Sequence, residues 1–165
     1  MRKKLFLFTM ASILSVAAVP VYADGEEHTM NIDYNARNDP TYNISIPAAI
    51  TMDKEGTALE FEAADVENLQ NEKVSVKIAG TDQYRNQMLL KNIDDGSSLM
   101  RYQIINDEGK VLETKGGKDE MVGEDVVAFT EDGVKTCEVK PVENTITALG
   151  HYSGAITFEI SVEEK

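Results

Sequence analysis

Apolar and polar residues alternate with a period of two through most of this chain. "TYNISIPAAITMD" sets Tyr42, Ile44, Ile46, Ala48, Ile50 and Met52 on one parity, with Asn43 and Ser45 on the other. "TALEFEAADV" opposes Leu59, Phe61 and Ala63 to Glu60 and Glu62, and "EKVSVKIAG" opposes Val74, Val76 and Ile78 to Lys73, Ser75 and Lys77. "LMRYQII" adds Met100, Tyr102 and Ile104, and "AITFEISVE" adds Ile156, Phe158, Ile160 and Val162. Each reads as a half-buried strand, apolar toward a core and polar toward water. The last alternation is the strongest, which predicts a strand paired near the centre of a sheet. No window of similar length repeats apolar residues at helical spacing; "AADVENLQ" (63–70) allows one short helical turn at most.

Turn chemistry divides these segments. Glu55-Gly56, Asp95-Gly96, Glu108-Gly109 and Asp132-Gly133 each place a glycine where a tight reversal uses positive φ. "QIINDEGKVLET" and "VVAFTEDGVKTCEV" therefore read as hairpins. Pro47 cannot donate to a ladder, so its strand is expected at a sheet edge or at a switch between sheets. Eight to ten short strands with turns every 8 to 12 residues predict an all-β fold, a two-sheet antiparallel sandwich of immunoglobulin-like architecture. The immunoglobulin hallmarks themselves are missing, since there is no Trp and only one Cys.

The N-terminus follows different rules. Arg2, Lys3 and Lys4 precede the apolar run Leu5–Val19, and Pro20 is followed by Val21-Tyr22-Ala23. Residues 1–23 read as a secretory signal peptide cut before Asp24, since a spanning helix needs about 20 apolar residues. No cysteine lies near the cut, which argues against lipid attachment, and no second apolar stretch precedes Lys165. The product is expected outside the cell, free or associated with the cell wall, and not inserted in a membrane. Residues 24–40 form an N-terminal extension and 41–165 the sandwich domain. Within the extension, Met30, Ile32 and Tyr34 alternate with Asn31 and Asp33, a candidate strand. It has two destinations: its own sheet, or the open edge of a neighbouring molecule, as in strand exchange.

Charge narrows the partners. The chain carries 29 acidic against 16 basic residues, a net charge of −13, and three of the basic residues lie in the first four positions. Such acidity disfavours nucleic acid, whose affinity depends on Lys and Arg neutralising phosphates. It equally disfavours anionic lipid, and solubility outside the cell explains it. Cys137, the only cysteine, alternates with Val139 in "VKTCEVKPV" and reads as a core residue, there being no partner for an intramolecular disulfide.

Catalytic and metal chemistry find little support. "GHYSGAITFEIS" sets His151 and Ser153 side by side, yet the order Gly150-His151-Tyr152-Ser153-Gly154 is one place off a nucleophile elbow, and a strand follows rather than a helix. In an extended segment the two side chains point the same way, about 6 to 7 Å apart by strand rise. The stretch reads as a turn leading into a strand, with no catalytic residue. His28 and His151 have no partner at zinc-ligand spacing. "NIDDGSS" and "VGEDVVAFTEDG" concentrate oxygen donors for calcium, but neither follows the alternating donor pattern of a calcium loop. No metal or cofactor is assigned. The Asn43-Ile44-Ser45 sequon sits in a strand and is discounted.

Both ends of the chain carry a family pattern. Tyr42, Ile44, Ile46, Pro47, Ile50 and Thr51 stand at the start. Gly150, Tyr152, Gly154, Ile156, Thr157, Phe158, Ile160, Ser161, Val162 and Glu163 stand at the close. In this the chain resembles small secreted β-sandwich surface proteins of Gram-positive bacteria, in the style of WxL-type and fimbrial-subunit domains, although the tryptophan-x-leucine motif is absent. The resemblance implies a surface or matrix sandwich. The expected function is non-enzymatic: surface structure, adhesion or subunit assembly, through self-assembly or another surface protein. The alternative is a soluble recognition module for a glycan or protein. The lack of Trp leaves few stacking platforms for sugars, whereas strand pairing needs only main-chain groups.

Overall fold

The computed structural model describes residues 38–165. The signal-peptide reading of 1–23 and the candidate strand at Met30, Ile32 and Tyr34 lie outside those residues. Among the described residues, ten strands form two sheets in which every ladder is antiparallel. The larger sheet runs in the order β1 (Thr41–Ser45), β2 (Thr57–Glu67), β8 (Gly133–Pro141), β5 (Leu99–Ile105), β4 (Leu89–Asn92) and β9 (Tyr152–Ser153). A short β6 (Val111–Leu112) also pairs with β5. The smaller sheet has the order β10 (Ile156–Glu164), β3 (Glu72–Thr81) and β7 (Asp125–Phe129). The fold is an all-β antiparallel sandwich, as the alternation predicts.

The core lies between the sheets and is built from the expected parities. Leu59, Phe61 and Ala63 of β2 are buried while Glu60 and Glu62 face water. Val74, Val76 and Ile78 of β3 meet them from the other sheet, and Tyr102, Ile104, Val126, Val127 and Phe129 complete the cluster. Cys137 is buried beside Val139, as its register predicts. β1 occupies one edge of the larger sheet and stops at Ser45, two residues before Pro47. The alternation beyond it makes no ladder: Ile46 and Met52 still pack on the core, but Ile50 is exposed.

Two expectations are corrected, and one left open is decided. "VVAFTEDGVKTCEV" is not a hairpin, because β7 belongs to the smaller sheet and β8 to the larger. Both strands bury apolar side chains, and the Cys137 thiol lies 3.7 Å from the Val126 carbonyl oxygen, so they face one another across the core. The link arches between sheets, with the Asp132 carboxylate accepting a hydrogen bond from Val66 N–H at 2.7 Å, and Gly133 does not take positive φ. Residues 63–70 contain no helical turn. β2 continues to Glu67, and Asp65 at φ 56° forms the irregularity that shifts its register against β1. Among the described residues the only helical turn is the 3-10 turn Tyr84–Asn86.

The second correction concerns the last strand. β10 lies at the edge of the smaller sheet, paired with β3 alone among the described residues, rather than near a centre. "QIINDEGKVLET", by contrast, is the expected hairpin: Ile104 and Ile105 pair with Leu112 and Val111, and Asn106 Oδ1 caps the turn through Glu108 and Lys110 N–H groups.

Candidate functional site: the edge of the smaller sheet

β9 and β10 are consecutive in the chain but belong to different sheets. The crossing at Gly154–Ala155 is fixed by a reciprocal pair: Asp82 N–H donates to Ala155 C=O at 3.1 Å, and Ala155 N–H donates to Asp82 Oδ1 at 3.0 Å. A Cβ on Gly154 would lie 2.9 Å from Leu90 Cδ2 and 3.1 Å from the Leu89 carbonyl oxygen, so the crossing needs a residue without one. From there β10 runs nine residues against β3, from Ile156 opposite Thr81 to Glu164 opposite Glu72. The one irregularity in this ladder falls between Thr157 and Phe158, whose partners are Gly80 and Ile78. The extra residue is Ala79 of β3, which leaves β10 itself unbroken.

On the inner face, the Phe158 ring meets the fully buried Phe61 edge to face, with centroids 5.5 Å apart and planes at 85°. Ile156, Phe158 and Val162 are half-buried and Ile160 is 36% exposed, and no further strand among the described residues covers their flank.

The outer face is held by charge. Lys73 Nζ of β3 lies 3.0 Å from Asp125 Oδ2 of β7 and 3.1 Å from Glu163 Oε1 of β10. Lys77 Nζ lies 2.5 Å from Glu163 Oε2 and 3.8 Å from Asp125 Oδ1. Beneath them the Ser75 hydroxyl, fully buried although it points away from the core, donates to Glu163 Oε1 at 2.6 Å. Lys77, Ser75 and Lys73 together hold the Glu163 carboxyl down at about 2. Lys73 is raised chiefly by Asp125, and Lys77 by Glu163. Two ammonium groups and two carboxylates thus tie all three strands of the smaller sheet together. Both lysines are held protonated, so neither presents a free amine. The effect of the cluster is to fix β10 in register on β3, while no strand among the described residues pairs with the opposite edge of β10.

The other edges are blunted. β1 has five residues and Pro47 just beyond its end, the extra residue of its irregular ladder lying in β2. β9 has two residues and β7 has five. β10 is the longest edge strand among the described residues and contains no Pro, Lys or bulge of its own, the devices by which proteins commonly discourage edge pairing.

The remaining candidates fall into structural roles. His151 is exposed and its backbone N–H donates to Asp94 Oδ2 at 2.8 Å; Ser153 is the exposed end of β9. Tyr152 between them donates its hydroxyl proton to the Ala148 carbonyl oxygen at 2.9 Å, pinning the turn before β9. In "NIDDGSS", Asp95 accepts from Ser98 Oγ at 2.6 Å and from the Ser97 and Ser98 N–H groups at 2.7 and 2.8 Å, which lowers its carboxyl to about 2. Asn92, fully buried, receives the Asp94 and Asp95 N–H groups.

In the 119–132 stretch, five of the six acidic groups, all but Glu131, already have a protein partner. Asp119 accepts from Asn86, Glu120 from the Lys115 and Gly116 N–H groups, and Asp132 from Val66 N–H. Glu124 pairs with Lys110 and Asp125 with Lys73. Among the described residues no three His, Cys, Asp or Glu side chains converge as a metal site. Cys137 lines a shallow depression with Gly56, Asp107 and Glu138. Burial pushes its thiol up to about 11, so it is protonated and inert near neutral pH.

No protein-family model matches the chain, and no curated protein matches it either.

Proposed function

We propose that this chain is an exported, non-enzymatic β-sandwich module of the bacterial cell surface that works in surface structure and subunit assembly through edge-strand pairing. The observation that carries the reading is the nine-residue edge of β10, unpaired among the described residues and backed by β3 and the charge cluster of its outer face. Strand addition draws its affinity from main-chain groups and its specificity from alternate side chains. β10 offers both: every second residue of an edge strand turns its N–H and C=O outward, and Phe158, Ile160 and Val162 leave apolar surface on the inner flank. The basic start, apolar run and Val21-Tyr22-Ala23 of the sequence support export, and the net charge of −13 suits a soluble extracellular protein.

The test is to express the full chain in a Gram-positive host, fractionate the culture, and apply a short-range cross-linker before extraction. The expected result is protein beginning at Asp24 in the medium and wall fractions, cross-linked into species larger than one chain. Protein retained in the cytosol that still begins at Met1, or a strict monomer in every fraction, overturns the reading.

A further inference from the structure

We infer that the partner taken by the β10 edge is a second copy of the same strand, paired antiparallel about Ile160 to join two small sheets into one six-stranded sheet. The inference rests on the assembly reading above and names its occupant. In antiparallel pairing, residues directly opposite one another share a face of the sheet, so apolar side chains stay together only when the two-fold axis passes through a residue. For β10 against itself, the registers closest to full overlap are centred on Glu159, Ile160 and Ser161. Centring on Glu159 sets that carboxylate opposite its own copy. Centring on Ser161 sets Glu159 opposite Glu163. Like charges directly opposite are destabilising.

Ile160 is the middle residue of Ile156–Glu164, so centring there pairs all nine residues. Ile160 then faces Ile160, Phe158 faces Val162, Glu159 faces Ser161, and Glu163 faces Thr157. Only Ile156, at the strand's first position, meets a carboxylate on its own side, that of the terminal Glu164. Among these three registers, the one with greatest overlap is also the one with no opposed carboxylates. The Glu163 charge is, moreover, already matched by Lys73 and Lys77 within its own molecule. The inner face gains most, because Ile160, now 36% exposed, would be covered by its own copy.

The contact is small. A single strand pair buries less than the roughly 800 Å² per partner of a standard stable interface, and two such acidic chains, each without Arg2, Lys3 and Lys4 once cut before Asp24, repel at long range. The dimer is therefore weak, concentration-dependent, and strengthened by salt, which screens the repulsion while leaving the ladder intact.

The experiment uses the secreted protein in sedimentation equilibrium and oxidative cross-linking. Wild type is expected to pass from monomer to dimer across the micromolar to near-millimolar range, with at least a threefold lower dissociation constant in 0.5 M than in 0.05 M salt. Ile160→Lys should weaken dimerisation at least tenfold. Should that variant lose its fold, Ile160→Cys carries the test alone, because Cys137 is buried and does not compete. Ile160→Cys should form an intermolecular disulfide on mild oxidation, whereas Ser161→Cys should not. In this register the two Ser161 positions are offset by two residues along the strands, about 8 Å between Cα atoms by strand rise and spacing, beyond disulfide reach.

A monomer at all concentrations with no Ile160→Cys cross-link overturns the self-pairing. So does efficient Ser161→Cys cross-linking. Dimerisation that survives Ile160→Lys but disappears when residues 24–37 are removed also overturns it, in favour of the N-terminal segment as the added strand. None of these outcomes bears on export to the surface, which cell fractionation reads separately.

Discussion

The edge position of β10 has an energetic signature in the pair Phe61 and Phe158. Phe61 of β2 is fully buried between the sheets, and truncating such a ring to alanine costs about 3–5 kcal/mol through lost transfer energy and an unfilled cavity. Phe158 touches the same cluster from an edge strand and is only half-buried, so solvent and neighbouring side chains can relax into the space it leaves. Phe158→Ala should cost about 1.5–3 kcal/mol, clearly less than Phe61→Ala, since the cost scales with the cavity that persists. The edge-to-face contact at 5.5 Å adds a pairwise part of about 0.5–1.5 kcal/mol. The double variant should accordingly lose less than the sum of the singles by that amount. Equilibrium urea unfolding at low protein concentration, where self-association does not contribute, measures all three. A Phe158→Ala loss equal to or above that of Phe61→Ala would refute the edge placement. Additivity within about 0.3 kcal/mol would refute the ring contact.

Glu163 is depressed to about 2 from an ordinary 4.5, so its contribution is fully present above about pH 4.5 and is lost as pH falls toward 2. Glu163→Gln should be less stable than wild type at pH 7, with the gap in urea midpoint shrinking from pH 4.5 to 2; a constant gap refutes the assignment. Gly150→Ala should destabilise by about 1–3 kcal/mol, because φ is +145° and the new Cβ would lie 2.6 Å from Asn92 Nδ2 and 2.8 Å from Asp94 Oδ2. An unchanged melting temperature would show that the loop yields. The Cys137 thiol, raised to about 11, should resist a thiol reagent at pH 8 in native protein and react within minutes in urea; fast native labelling would place it at the surface. EDTA should leave the melting temperature unaltered, since the acidic turns are occupied by main-chain N–H groups and lysines; a rise of several degrees with added calcium would reverse that view.

Strands packed on both flanks were legible from period two alone. Leu59-Phe61-Ala63 and Val74-Val76-Ile78 are buried on the expected parity because a neighbour on each side and a sheet opposite leave their apolar side chains one dry face. The same period says nothing of what lies beside a strand. Ile156 to Val162 alternate as cleanly as β3 does, yet β10 is an edge, since alternation reports faces and not neighbours. The three carboxylates of β10, Glu159, Glu163 and Glu164, do not mark an edge either, because β2 carries four in eleven residues and is flanked on both sides. Turn residues behave likewise. Asp132-Gly133 marks a reversal but does not say whether the chain returns in the same sheet or arches to the other, a choice set by Val126, Val127 and Phe129 facing Cys137 across the core. β4 was missed because Leu89-Leu90-Lys91-Asn92 has no alternation, its interior being supplied by Met88 and the buried Asn92. Ser75 reads as solvent-facing, and its burial arises only when Lys73, Lys77 and Glu163 from two strands close over it.

An edge strand without proline, lysine or bulge is a hazard wherever chains meet at high concentration. β10 nevertheless carries a limit of another kind. Its outward side chains include Glu159 and Glu163, which stand opposite Ser161 and Thr157 in only one near-complete register and oppose carboxylates in the two adjoining ones. Registers shifted by one residue are excluded independently, because they turn Phe158 and Ile160 toward the polar face of the partner. A two-fold pairing of this sort closes on itself: once two β10 edges meet, neither is left to recruit a third chain. The free ends of the joined sheet are then the two β7 strands, each five residues long and tied through Asp125 to Lys73. The net charge of −13 raises the electrostatic cost of any further encounter. In that pairing the placement of Glu159 and Glu163 would do for this edge what shortness does for β1, β7 and β9, permitting one contact while discouraging open-ended growth.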